Sequence, residues 1–161
     1  MDIYFDTELL NNGDRKLFVF DMDSTLIEQE VIDLLAKHAN QEAAVSKITA
    51  AAMAGDLDFA QALKSRVALL ADLDVSVIAK VRKEILLTTG AEKLIQTLHA
   101  QGHKVGVVSG GFIDVIEPIL KDLKIDFSGI RPKIKSEDNS FQDFIIDYGD
   151  NNIINLDKNF I

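Results

Sequence analysis

Two aspartates, Asp21 and Asp23, lie one residue apart directly after the apolar run LFVF at residues 17 to 20. A short continuous apolar run of this kind predicts a strand that is buried on both faces in a parallel sheet. In open α/β sheets, ligands bind beyond the carboxyl ends of the strands, which is where both acids fall. Two carboxylates held close together repel each other, so they need a cation, a shared proton or both. The pair therefore predicts a reactive site, with Mg²⁺ as the cation that suits carboxylate and water oxygens.

The two acids could also take different chemical roles. An ionised Asp21 could attack phosphorus as a nucleophile and form an aspartyl phosphate. Asp23, whose proton is retained by the neighbouring charge, could protonate a leaving alcohol and afterwards accept a proton from water. The alternative is that the pair only caps the turn after the strand. Two further Asp-x-Asp pairs lie in polar links between predicted helices and are interpreted as structural: Asp56 with Asp58, and Asp72 with Asp74.

A second candidate constellation is VVSGG at residues 107 to 111. A serine and two glycines between a strand and a helix let the backbone approach a ligand closely and present N–H groups at a helix N-terminus to an anion. Ser109 could donate its hydroxyl to a phosphate oxygen. Any strand-to-helix turn favours such residues, and the earlier DMDST is what makes the functional interpretation persuasive.

The helical pattern around Arg66 places this cation on one face with apolar side chains. A guanidinium on such a face points to the interior and needs an anionic partner, which a carboxylate supplies through two hydrogen bonds. The alternative is a structural ion pair with an acid of the same helical region. The residues that share the face are Phe59, Ala62, Leu63 and Leu70.

The composition limits the classes of function. A chain of 161 residues with 47% apolar content can form one core, with room for a small inserted lobe. The formal charge of −9 argues against nucleic acid or an anionic membrane surface as a partner. The absence of cysteine excludes disulfides and thiolate sites, and no segment approaches the length of a membrane span. We expect a soluble, cytoplasmic protein of undetermined oligomeric state.

The elements that must position these residues divide into two kinds. Residues 28 to 87 contain no proline and repeat their apolar positions at helical spacing, which predicts a helical lobe with Asp58 and Ser76 as N-caps. From residue 88 the pattern is α/β, and a capping box of Thr89 and Glu92 opens a helix that Gly102 closes. Strands are predicted at residues 104 to 108 and 125 to 127, a helix at 112 to 123, and a hairpin around the turn at 136 to 140.

Three segments resemble the phosphoserine phosphatases of the haloacid dehalogenase superfamily: DMDSTLIEQE, GDLDFAQALKSRVALL and LTTGAEKLIQTLHAQGHKVGVVSGGF. The resemblance runs from about residue 17 to 127 in order and spacing. It implies an α/β fold with an incomplete Rossmann-like core at residues 1 to 27 and 88 to 161, and a small helical cap at residues 28 to 87. It also implies a magnesium-dependent phosphatase that hydrolyses O-phosphoserine in serine biosynthesis.

The resemblance assigns a role to each motif residue. Asp21 would be the nucleophile and Asp23 the acid/base, and Mg²⁺ would be held by the Asp21 carboxylate and the backbone carbonyl of Asp23. Ser109 and the backbone of Gly110 would bind the phosphoryl group.

The substrate's amino-acid portion would be bound by the helical region. Glu30 would receive the ammonium, Arg66 would take the carboxylate, and Met53 and Phe59 would close over the substrate. For Glu30 a structural alternative is open, because an acid near a helix N-terminus is favourable in any case.

The family pattern continues with a hairpin, a catalytic lysine and an acidic metal-binding loop. Lys158 in the tail NLDKNFI is the candidate for the lysine, although a lysine so close to a terminus is usually solvated. The segment around Gly149 and Asp150 does not match the acidic loop and is predicted to be a hairpin strand with a turn. We therefore expect a truncated phosphatase. The alternatives are a catalytically impaired remnant that binds phosphoserine, serine or another chain, and a different phosphotransferase of the superfamily.

Overall fold

The computed structural model describes residues 15 to 130. Within this range three parallel strands form a sheet in the order β1, β2, β3. The strands are β1 Leu17–Phe20, β2 Lys104–Ser109 and β3 Phe127–Ile130. The predicted hairpin and the tail with Lys158 lie outside the described residues.

Six helices accompany these strands in the described range. The first five lie between β1 and β2. The first four of these fall in the stretch predicted to be helical, residues 28 to 87, which we call the helical segment. No helix of the described range is long and apolar enough to cross a membrane. The helices are α1 Val31–His38, α2 Glu42–Met53, α3 Phe59–Ala68, α4 Val77–Glu84, α5 Ala91–Ala100 and α6 Ile113–Asp122.

The helical segment leaves and rejoins the rest of the chain at one place. Glu28 N–H donates to the carbonyl of Leu86 at 2.9 Å, and Thr88 N–H donates to the carbonyl of Leu26 at 2.9 Å. An antiparallel bridge pairs Ile27 with Leu87 between these bonds. The two ends of the segment are therefore side by side.

The sheet is covered unevenly. Val105 and Val107 of β2 are buried, whereas Val108 is 47% exposed and Val19 of β1 is 50% exposed. The prediction that β1 is buried on both faces is wrong, because no side chain of β1 is fully buried and Val19 leaves one face half exposed.

Helix capping follows the sequence prediction at one of three sites. Asp58 caps α3 as expected, since its carboxylate accepts from Gln61 N–H at 2.8 Å and Gln61 Oε1 accepts from Asp58 N–H at 3.2 Å. Ser76 makes no side-chain cap, and its own N–H donates to Asp74 Oδ1 at 2.8 Å. The side chain of Asp74, and not that of Ser76, therefore accepts a backbone hydrogen bond at the start of α4.

The capping box predicted for α5 does not form. The N-cap position is Gly90, whose φ of 88° suits glycine, so the helix begins one residue later than Thr89 would place it. Glu92 instead accepts from Gln96 Nε2 at 3.0 Å. Gly102 follows the end of the helix with a φ of 80°, as predicted.

The third strand begins two residues later than predicted. Lys124 has a φ of 57°, and Ile125 N–H closes the end of α6 by donating to the carbonyl of Leu120 at 2.9 Å. Ile125 therefore belongs to the end of α6 and not to the strand, and β3 starts at Phe127.

Asp126 anchors the start of β2. Its carboxylate accepts from Lys104 Nζ at 2.6 Å and Val105 N–H at 2.9 Å, and it lies 3.0 Å from His99 Nε2. Burial alone would raise the pKa of Asp126, but the hydrogen bonds from Lys104, Val105 and His99 outweigh it and leave the pKa below its ordinary value. The ionised form is therefore the one that the fold stabilises.

Asp126→Asn is expected to lower the free energy of unfolding at pH 7 by about 1–3 kcal/mol, because charge-assisted hydrogen bonds are lost. A carboxyl whose pKa is depressed by folding contributes stability above its unfolded pKa of about 3.9 and loses it as the pH falls through the folded value. The difference between wild type and variant in urea unfolding should therefore shrink below about pH 4. The exposed Asp122→Asn is the control, and an equal effect of both variants would contradict the assignment.

Candidate active site

A cavity of about 180 Å³ lies between the ends of β1 and β2 and the helical segment. It brings together six residues that were predicted to belong to a site, although they are spread over 90 positions of the chain, from Asp21 to Gly110. Its lining residues are Asp21, Asp23, Glu30, Ile32, Phe59, Leu63, Arg66, Gly110, Gly111 and Phe112.

Asp21 is held at the start of an irregular turn, Met22–Leu26. The fully buried Met22 anchors this turn, and its N–H donates to Asp21 Oδ1 at 2.7 Å. No described residue donates a hydrogen bond to Asp21 Oδ2. Asp21 therefore has one oxygen fixed by the backbone and one available to a ligand.

Asp23 has both oxygens engaged. Oδ1 accepts from Val31 N–H, the first residue of α1, at 2.7 Å, and Oδ2 accepts from the Ser109 hydroxyl at 3.1 Å. Burial raises the pKa of Asp23, and the charges of Glu30 and Asp21 raise it further, against the lowering effect of the two hydrogen bonds. Asp23 therefore retains a proton more readily than an aspartate in water does.

The loop after β2 supports this arrangement. Ser109 is buried, and its Oγ accepts from Gly111 N–H at 2.8 Å while its hydroxyl donates to Asp23. Gly110 lies against the ring of Phe59, so closely that a Cβ at position 110 would be 3.0 Å from Phe59 Cζ. The first residue of α3 thus lies over the serine–glycine loop.

Glu30 precedes α1 at the N-cap position, but its side chain makes no hydrogen bond to the helix. Its Oε1 instead accepts from the Ser24 hydroxyl at 2.8 Å. Ser24 has a left-handed φ of 52°, and its N–H donates to the carbonyl of Gln29 at 3.1 Å. The bond from Ser24 therefore fixes the Glu30 carboxylate at the cavity wall, while its place at the N-cap of α1 keeps the structural alternative open.

Arg66 supplies the positive charge of the cavity. Its Nε donates weakly to the carbonyl of Ala62 at 3.4 Å, within its own helix. None of the ion pairs between described residues includes Arg66. Its charge does lower the pKa of Asp33, although burial and Glu30 outweigh it and the pKa of Asp33 is raised. The alternative interpretation of Arg66 was a structural ion pair with an acid of the helical segment. Among the described residues, Arg66 forms no such pair.

The structure does not bring every predicted residue to the cavity. Met53, the last residue of α2, is 86% exposed and is not among the lining residues, so its role stays a prediction. Lys158 lies outside the described residues. Sequence reasoning gave no role to Ser24, and it gave Gly111 only the general role, shared with Gly110, of letting the backbone approach a ligand closely.

The oxygen ligands of the cavity suit a hard cation such as Mg²⁺, which keeps several waters and takes one or two carboxylates. The Asp21 carboxylate is the clearest ligand, since its two oxygens can serve a cation and a second group separately. Within residues 15 to 130 no cluster of three or more histidine or acidic side chains is arranged to hold a metal. The described donors thus fit a cation that is mainly hydrated and that binds through Asp21.

Comparison with known proteins places the chain among hydrolases. A family model for haloacid dehalogenase-like hydrolases matches residues 18 to 143. The phosphoserine phosphatase of Lactococcus lactis is 56% identical over 113 residues, which cover 70% of this chain and 52% of that protein. The phosphoserine phosphatase of Streptomyces coelicolor is 54% identical over 119 residues, which cover 74% of this chain and 29% of that protein.

Solved structures agree with these relatives. A phospho-aspartyl intermediate analogue of phosphoserine phosphatase superposes with a TM-score of 0.73 at 41% identity, over 79% of this chain and 60% of that one. A substrate-bound phosphoserine phosphatase complex gives a TM-score of 0.73 at 40% identity, with the same coverage. This confirms the predicted α/β fold of the haloacid dehalogenase type.

The chain spans about half the length of the Lactococcus protein and less than a third of the Streptomyces protein. The shared region nevertheless contains the turn with both aspartates and the serine–glycine loop, and the family model covers well over half of the chain. The chain therefore belongs to the haloacid dehalogenase-like hydrolases.

Proposed function

We propose that this chain carries the reaction site of a magnesium-dependent phosphoserine phosphatase, which hydrolyses O-phosphoserine to serine and phosphate. The observation that carries the proposal is the unequal pair of aspartates beside Ser109: in contacts among residues 15 to 130, one oxygen of Asp21 is free, whereas both oxygens of Asp23 are bonded. The identity to phosphoserine phosphatases supports the choice of substrate. The proposal includes a role in serine biosynthesis and a cytoplasmic location.

In the first half-reaction, Asp21 Oδ2 attacks phosphorus and the bond from phosphorus to the serine oxygen breaks. The leaving oxygen takes the proton of Asp23, so serine departs as a neutral alcohol. In the second, water attacks the aspartyl phosphate, Asp23 accepts a proton from this water, and the bond from phosphorus to Asp21 breaks. Both carboxyl groups then return to their starting states.

The serine–glycine loop binds the phosphoryl group in this proposal. The Ser109 hydroxyl, which donates to Asp23 in the ligand-free structure, donates to a phosphoryl oxygen, and the Gly110 N–H adds a second donor. The Asp21 carboxylate and the Asp23 carbonyl would hold Mg²⁺, which when bound would offset the negative charge of the site. Lys158 remains the proposed additional cation.

The amino-acid portion of the substrate lies between the two charged groups of the helical segment. The Glu30 carboxylate, fixed by Ser24, binds the ammonium, and the Arg66 guanidinium binds the carboxylate through two hydrogen bonds. Phe59 covers the phosphoryl loop and excludes water. The core and cap division predicted at residues 28 and 87 fits this placement, because both selective groups come from the helical segment.

Removing the nucleophile should abolish turnover. Asp21→Asn is expected to lower phosphate release from O-phosphoserine by more than about 10⁴-fold, because no aspartyl phosphate can form. Asp56→Asn, which changes an exposed aspartate outside the cavity, is the control. Phosphate release by Asp21→Asn at the wild-type rate would rule out Asp21. If wild type released no phosphate but phosphoserine raised its Tm, binding without turnover would be the better assignment.

Chelation should stop the reaction reversibly. We expect EDTA to abolish phosphate release and added Mg²⁺ to restore it, because the attacking Asp21 carboxylate and the phosphoryl group repel each other without a cation. The measurement is the rate against free Mg²⁺ concentration. Full activity in EDTA after exhaustive dialysis would contradict a magnesium site.

Arg66 should set substrate affinity more than the rate of chemistry. Arg66→Lys keeps the charge but loses the planar pair of donors, so KM for phosphoserine should rise by about 10- to 100-fold with a smaller change in kcat. Arg82→Lys is the matched control, since Arg82 lies outside the cavity and donates to the carbonyl of Asp114. Equal KM values for both variants would argue against carboxylate binding by Arg66.

A further inference from the structure

Gly111 occupies a place in which no side chain fits. A Cβ built at this position would lie 2.5 Å from Asp23 Oδ2 and 3.0 Å from Ser109 Oγ. The φ of Gly111 is outside the left-handed region, so the backbone conformation itself would accept alanine. The requirement for glycine is therefore one of space beside Asp23.

Gly111 also contacts the same two groups through its backbone. Its N–H donates to Ser109 Oγ at 2.8 Å, and the Ser109 hydroxyl donates to Asp23 Oδ2 at 3.1 Å. The other oxygen of Asp23 is tied to Val31 N–H at 2.7 Å. The carboxylate therefore cannot withdraw from position 111 without loss of at least one of its hydrogen bonds.

We propose that Gly111 is a positioning residue for the acid–base step, because its missing side chain leaves the Asp23 carboxylate at the place where it meets the leaving oxygen. The catalytic part of this inference rests on the proposed function. The close approach of position 111 to the Asp23 carboxylate does not depend on it. Gly111 acts through Asp23 and Ser109, and it needs no contact of its own with the substrate.

The neighbouring Gly110 provides a matched control for the effect of an added methyl group on stability. A Cβ at position 110 would meet only the tip of the Phe59 ring, at 3.0 Å, and this side chain is 62% exposed and can move aside. Gly110→Ala and Gly111→Ala are thus the same chemical change on adjacent residues of one loop. Only the methyl group at position 111 would clash with the Asp23 carboxylate.

A stability cycle tests the contact without reference to activity. Gly111→Ala is expected to lower the Tm by about 4 °C or more in the wild-type background, and by less than half as much in the Asp23→Ala background, where the clashing carboxylate is gone. If Gly111→Ala alone failed to fold, refolding of the double variant would support the contact. Equal losses in both backgrounds, or no rescue, would overturn the proposal.

A leaving-group comparison tests the catalytic consequence. The serine oxygen is strongly basic and needs a proton to leave, whereas p-nitrophenolate leaves readily without one. In single-turnover measurements of alcohol release, Gly111→Ala should slow phosphoserine cleavage at least about 10-fold more than p-nitrophenyl phosphate cleavage. Asp56→Asn, which changes an exposed aspartate outside the cavity, should leave the ratio of the two rates at the wild-type value. An unchanged ratio in Gly111→Ala would overturn the positioning role.

The two experiments separate two kinds of failure. If the wild-type chain turned over neither substrate, the proposed function would fail. The stability cycle would then still show whether the space at Gly111 fixes the Asp23 carboxylate.

Discussion

The two hydrogen bonds to the Asp23 carboxylate, one from Val31 N–H and one from the Ser109 hydroxyl, join the first turn of α1 to the end of β2. These groups are far apart in the sequence, and the sheet brings them together because β1 and β2 are parallel neighbours. Asp21 is placed by the same turn, which is anchored by the buried Met22. The remaining features of the cavity, including the position of Glu30 and the serine–glycine loop, depend on this junction.

The charges of the cavity follow a simple electrostatic constraint. From residues 15 to 130, three carboxylates and one guanidinium line it, in a chain whose formal charge is −9. An anionic ligand therefore needs local positive groups, because the protein as a whole repels it. Arg66 and the serine–glycine loop both line the cavity and can meet this need, and the engagement of both Asp23 oxygens reduces the repulsion further.

Local patterns were sufficient to place the catalytic candidates at strand ends, because an apolar run followed by polar residues determines both the strand and its ligand-binding edge. Patterns failed where neighbouring residues compete for one helix cap, and where a tertiary contact decides the outcome. Ser76 and Thr89 have the composition of caps, but Asp74 and Gly90 take their places. The clash at Gly111 could not be predicted from SGG alone, since it depends on a carboxylate 88 positions earlier in the chain.

The paired backbone at Ile27 and Leu87 has a consequence for how such a site can diversify. Since the helical segment starts and ends at adjacent points, a shorter or different insertion could join the same two residues without disturbing the strands. Such an exchange would replace Phe59 and Arg66 but keep both aspartates and the serine–glycine loop. The groups proposed to select the substrate thus lie on one continuous piece of the chain, and any replacement for that piece has to supply again the backbone N–H that Val31 now donates to Asp23.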